Sequence, residues 1–312
     1  MDLLRRLSVG ALLAPLARPV TGAGPTAESS AGGSGPVAAA MGRHRGRLRR
    51  HPATTVPPQP VVLGGARVVQ VDGASCGSTV LLMLAATGDP VLARWLEIGE
   101  LPAGLLPHRM PPEIPREDGT GLAVAPGLRT AVDRLAAAQR HVHRRTSARA
   151  LCLLPWPAAL GTPPWTAARE ARFPGVRYHH LPIDDTAPAA ASLLAAVHTA
   201  TLAGTPVPLY TGGDLAHGLT SAPPRHVVLA VPPPDGAPHR GHDTSGNPVL
   251  HLFEPSGGRV HQVPVADLLG RSDPHPALGG WPHVCWVLLP RTGAGSPSVA
   301  PATGGRHAGQ VP

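Results

Sequence analysis

The run Val80-Leu-Leu-Met-Leu-Ala-Ala86 is apolar on every side, and a helix with no polar face has to sit inside a domain rather than on its surface. That segment fixes the centre of whatever the chain builds. It follows Gln70-Val-Asp-Gly-Ala-Ser-Cys-Gly77, so the helix opens on a cysteine with an amide side chain six residues upstream. Gly88 ends the run, and Asp89-Pro90 supplies a cap and a first-turn proline for a second helix reaching Ile98. A thiol at a helix N-terminus faces unpaired backbone N–H groups and the positive end of the helix dipole, both of which favour the thiolate. Cys76 is therefore either a nucleophile or a small buried hydrophobe, the ordinary fate of a lone cysteine.

Charge says little about partners. All 27 basic residues of the 312 are arginine, and Asn247 is the only asparagine, a pattern of GC-rich codon usage more than of a selected basic surface. The dense basic run from Arg43 to His51 has no interleaved aromatic to stack on bases, so it reads as a solvated tail and no nucleic-acid partner is expected. Cys76, Cys152 and Cys285 are odd in number and widely spaced, which indicates neither a disulfide framework nor a zinc ribbon. No stretch reaches the roughly 18 uninterrupted apolar residues of a membrane span, so the expectation is a soluble chain, cytoplasmic in preference to exported. Arg5-Arg6 ahead of Leu7 to Ala17 keeps an export signal open, Pro15 and Arg18 argue against it, and Met41 is an alternative start.

Three regions follow. Residues 1–60, rich in Gly, Ala, Pro and Ser, read as a disordered or targeting segment; 61–290 form one domain; 291–312 read as a disordered tail. Within the domain, Leu128, Ala131, Val132 and Leu135 mark an amphipathic helix, Leu151 to Pro155 a short strand, Pro164 to Arg172 a short helix, Val176 to Ile183 a strand, and Ala187 to Ala203 a helix closed by Gly204. Then come short β-rich runs bounded by Pro and Gly: Val207 to Thr211, His226 to Val231, Val249 to Glu254, Arg259 to Val263 and Val284 to Leu289. Helices first and an antiparallel sheet second is the α+β order.

If His226–Val231 and Val249–Glu254 are antiparallel neighbours, the first residue of one lies beside the last of the other, and His226 meets Glu254. A histidine oriented by a carboxylate and presented to a cysteine at a helix start can hold a thiolate–imidazolium pair. Gln70 can donate its side-chain N–H to a developing oxyanion, with the Cys76 backbone N–H as second donor.

These residues resemble the papain-like cysteine peptidases, in which a Gln lies just upstream of a Cys that opens the central helix and a His heads a strand about 150 residues later. The downstream pieces are similar to the bacterial branch of bacteriocin-leader (double-glycine) peptidases: Cys76-Gly77, Gly204-Thr-Pro-Val207, His226-Val-Val-Leu229 and Glu254-Pro-Ser-Gly-Gly258, in that order over roughly 61–290. The resemblance implies Cys76 as nucleophile, His226 as general base and acid, Gln70 as oxyanion donor and Glu254 as orienter, where relatives have Asp or Asn. It implies a peptide or protein substrate, cleavage of a peptide or isopeptide bond through an acyl-enzyme, and no cofactor. Two alternatives stay open: an acyltransferase or transglutaminase-like enzyme on the same site, or an inactive peptide-binding module. The histidine sets His141-x-His143, His179-His180 and His239-x-x-His242 lack a third ligand at recognisable spacing, so no metal is expected. His251, Cys152 and Cys285 read as core.

Overall fold

The computed structural model describes residues 56–116, 127–148, 150–151, 154–213, 224–234 and 241–292. The expectations for the first 55 residues, for Cys152 and for 293–312 lie outside these residues. The described helices are α1 (Cys76–Gly88), α2 (Pro90–Ile98), α3 (Ala131–Ser147), α4 (Pro164–Glu170) and α5 (Ala189–Leu202). The strands are β1 (Gln59–Pro60), β2 (Val62–Leu63), β3 (Ala66–Arg67), β4 (Val176–Pro182), β5 (Val207–Gly212), β6 (His226–Val231), β7 (Val249–Glu254), β8 (Arg259–Pro264) and β9 (His283–Thr292). Seven of them form one antiparallel sheet in the order β1-β8-β7-β6-β5-β9-β4, while β2 and β3 make a separate ribbon. The architecture is α+β.

Alternation along the strands splits the core into two layers. Val227, Leu229, Phe253 and Leu288 pack with α1, α2 and α3 on one face, and Val228, Ala230, Leu250 and Leu252 pack with α5 on the other. The helix that is apolar all round lies in the first layer, where Val80, Leu82 and Leu84 are fully buried. Each such leucine contributes about 2 kcal/mol by leaving water. No single helix among the described residues is long and apolar enough to cross a membrane; α1 and α2 pass that test only as a pair bent by 115°.

That bend is built locally. Asp89 accepts from the Val91 and Leu92 N–H groups and so starts α2 at Pro90, and its other oxygen takes Arg172 Nη1 at 2.7 Å. Gly99 ends α2 in the left-handed conformation at φ 80°. The carbonyls released there, Leu96 and Glu97, accept from the buried Arg134 of α3, which also binds the Leu128 and Arg129 carbonyls. Thr130 and Asp133 close a capping box at the head of α3.

Three boundaries differ from the sequence reading. Among the described residues Leu151 and Leu154 pair with each other in an isolated bridge, and neither joins the sheet. The sheet begins at Gln59–Pro60, before residue 61, because these residues pair with Val260 and Arg259 on the edge strand β8. It ends at Thr292, past 290, because β9 runs on to pair with the whole of β4, up to Val176 opposite Thr292.

Candidate active site

The approach to α1 is a short hydrogen-bonded turn. Asp72 Oδ1 accepts from Ala74 N, and Ser75 Oγ donates to Asp72 O while accepting from Asp72 N. Ser75 is thereby committed to the turn, and no side chain caps the first N–H groups of α1. Cys76 enters at that open end, 3% exposed. Gly77 follows because nothing larger fits: a Cβ there would lie 2.7 Å from Thr162 Cβ.

His226 and Glu254 meet, with Nε2 to Oε1 at 2.8 Å and both side chains buried. They are not directly opposite. Leu229 faces Phe253 and Val231 faces His251, a register that carried onward sets Glu254 across from Val228 and His226 two residues further along. The contact is diagonal, and the long glutamate side chain spans it. Glu254 is held from behind, Oε1 accepting from Ser256 N and Oε2 from Gly257 N, each at 2.7 Å. With Nε2 on the carboxylate, Nδ1 is the ring nitrogen left to face the Cys76 thiol.

Electrostatics follow from that chain of contacts. Burial disfavours a charged imidazole, but hydrogen bonding to Cys76 and then to Glu254, with the charges of both, pushes His226 from 6.5 up to about 9. Burial would raise Glu254, yet the bonds from His226, Gly257 and Ser256 bring it from 4.5 down to about 2. The arrangement therefore holds the imidazolium and the carboxylate together across neutral pH, with a thiol on the imidazolium's other side. Gly279 closes over the ring: a Cβ on it would lie 2.3 Å from His226 Cδ2, and its φ of 68° is the left-handed conformation.

Gln70 is tied to the same turn as Glu254. Its backbone N–H donates to Pro255 O, its Oε1 accepts from Ser256 Oγ at 3.0 Å, and its Nε2 donates to Asp72 O at 2.8 Å. One of the two Nε2 hydrogens is taken up by Asp72, and the other remains for a further acceptor. The residue that fixes this segment was missed by the sequence reading. Gln139 of α3, fully buried, accepts from Val71 N and Thr79 Oγ1 and donates to Val69 O, gripping the backbone on both sides of Gln70. The signal was present: a glutamine four residues after Leu135 and three before Val142, on the apolar stripe of α3.

Cys76 opens onto a cavity of about 330 Å³ lined by Gly73, Ala159, Leu160, Gly161, Arg225 and Trp281. Its Leu160–Gly161 wall is braced by Tyr210, whose hydroxyl donates to Thr162 O at 2.9 Å. The other candidates stand apart. Cys285 is fully buried and its thiol is pushed up by burial and by the charge of Asp185. His251 is buried on β7, and burial pushes its imidazole down. His283 forms a second buried pair, Nδ1 to Asp185 Oδ1 at 3.0 Å, with Asp185 also accepting from Val284 N. Among the described residues no group of three His, Cys, Asp or Glu gathers closely enough to hold a metal ion.

No protein-family model, no curated protein and no solved structure matches the chain.

Proposed function

We propose that the chain is a thiol hydrolase of papain-like type that cleaves a peptide or isopeptide bond. The observation that carries this reading is the His226–Glu254 pair beside Cys76, with the imidazole proton held up to about 9 at the edge of a cavity. A thiol beside an imidazolium at an uncapped helix start has the two features that stabilise a thiolate. The order of parts supports the papain-like reading: a cysteine opening a buried central helix, then a histidine and its orienting carboxylate on neighbouring strands.

In this mechanism the Cys76 thiolate attacks the scissile carbonyl carbon, and the π electrons move onto oxygen. The free Gln70 Nε2 hydrogen and the Cys76 backbone N–H stabilise that oxyanion. As the carbonyl re-forms, the C–N bond breaks and His226 gives its proton to the departing amine, leaving a thioester on Cys76. Neutral His226 then takes a proton from water, the hydroxide displaces sulfur, and the carboxylic product leaves with the thiolate–imidazolium pair restored. Glu254 holds the ring and offsets its charge.

Cys76→Ala is expected to abolish labelling by an alkylating thiol reagent near pH 6, while Cys285→Ala keeps it. Full-rate labelling in Cys76→Ala would refute the reading. With Cys76 intact, Gln70→Ala should slow acyl-enzyme formation about a hundredfold, the scale of one oxyanion donor.

A further inference from the structure

Arg225 precedes His226 on the chain and lines the cavity that Cys76 opens onto. Among the described residues the other buried or half-buried arginines are all engaged. Arg116, Arg134, Arg259 and Arg271 donate to backbone carbonyls, and Arg145 and Arg172 pair with carboxylates. Arg225 alone of this class has no side-chain partner among the described residues, although its backbone N–H is fixed on Thr211 O at 2.9 Å. A partly desolvated guanidinium left unpaired carries a cost that an anionic ligand would offset.

No described residue of the cavity wall offsets it from within. Among the described residues that line it there is no carboxylate. Two acids beside the site are committed elsewhere: Glu254 to His226 and two backbone N–H groups, Asp72 to the turn before Cys76. The rest of the described wall is apolar or small, with Leu160 and Trp281 as its large members. An apolar pocket with one fixed charge is how sites orient a small ligand group.

We infer that Arg225 is the specificity-determining residue of the cleft, and that the substrate carries a carboxylate on the residue next to the scissile bond, with an apolar flank against Leu160 and Trp281. This rests on the thiol-hydrolase reading. The carboxylate is supplied either by an Asp or Glu side chain or by a free chain terminus, and the guanidinium fork suits both.

The test uses the full chain and two small reagents of nearly equal size. Iodoacetate is an anion and iodoacetamide is neutral, so the ratio of their rates at Cys76, read by mass spectrometry, reports how the cleft receives a carboxylate independently of thiolate content. In Arg225→Gln that ratio is expected to fall roughly tenfold, the scale on which one local charge biases an encounter, and Arg225→Lys should restore much of it. An unchanged ratio, with iodoacetamide still labelling Cys76, overturns the inference and leaves the hydrolase reading standing. If neither reagent labels Cys76 in the unaltered protein, the hydrolase reading falls and the inference with it. The carboxylate's source is read with two peptide mixtures, one with internal Glu and blocked ends, the other with neutral side chains and a free C-terminus. Preferred cleavage of one over a fully neutral mixture, lost in Arg225→Gln, names the source; equal cleavage of all three overturns the inference.

Discussion

Replacing Glu254 by aspartate looks conservative and should not be. The glutamate reaches His226 diagonally across two strands, with Oε1 to Nε2 at 2.8 Å, while the same carboxylate accepts from Ser256 N and Gly257 N at 2.7 Å each. Removing one methylene draws the carboxylate back by about 1.5 Å, one C–C bond. If the backbone bonds hold it to the turn, the contact to the ring lengthens to about 4 Å, beyond hydrogen-bonding range. Aspartate can serve the turn or the imidazole, and an aspartate at the head of a turn favours the turn. His226 then keeps Cys76 but loses its second support, so its pKa should drop by about one unit, ~1.4 kcal/mol of lost preference for the imidazolium. The assay is the pH titration of the His226 Cε1 resonance in labelled protein, assigned by its disappearance in His226→Gln. Because the folded pKa is raised, from 6.5 to about 9, the stability it lends is complete below 6.5 and is lost as pH rises through about 9. In Glu254→Asp that loss should set in about one unit lower. Glu254 contributes with the opposite sign, present above 4.5 and lost as pH falls through about 2. A Glu254→Asp protein whose His226 still titrates at about 9 would refute the geometric argument.

Two further substitutions probe residues behind the site. Gly279→Ala puts a Cβ 2.3 Å from His226 Cδ2 at a φ of 68°, so it should cost about 1–3 kcal/mol in backbone strain alone and displace the ring; denaturant unfolding and the same Cε1 titration measure both, and a protein unchanged in each would show that the loop yields. Gln139→Leu leaves Val71 N and Val69 O without their partner and should lower unfolding stability by about 2–4 kcal/mol; a loss below about 0.5 kcal/mol would show that water or a shift of the chain replaces the amide.

The strands that carry the site were legible because proline and glycine bracket them. His226–Val231 and Val249–Glu254 fall where the β-rich runs begin and end. The helix of Cys76 was legible because a segment apolar on all sides has only one place to go. Register was not. The hydrophobic pattern of two fully buried strands is the same after a two-residue slide, so sequence could pair β6 with β7 without showing that His226 and Glu254 meet on the diagonal. Edge pairings were hidden too: Gln59–Pro60 is two residues long and carries no pattern, and the extra length of β9 is set by its partner β4 rather than by its own composition. The apolar stripe of α3 marks Gln139 as buried, but what Gln139 and Gly279 touch lies 68 and 53 residues away along the chain, and no local signal names those partners.

The lacing of the N-terminal approach to the end of β7 also sets an order in time. Val61 N donates to Gly258 O, Gln70 N to Pro255 O, and Gln59–Pro60 pairs with β8, so the segment leading to the cysteine is fastened to residues made nearly two hundred positions later. A growing chain that has passed α5 already holds the thiol and its helix, but neither the imidazole strand nor the turn that seats Gln70. Contacts of such separation form late in folding. A nascent or truncated chain thus carries a cysteine without its partners, and the assembled series becomes available only when the last third of the domain closes on the first.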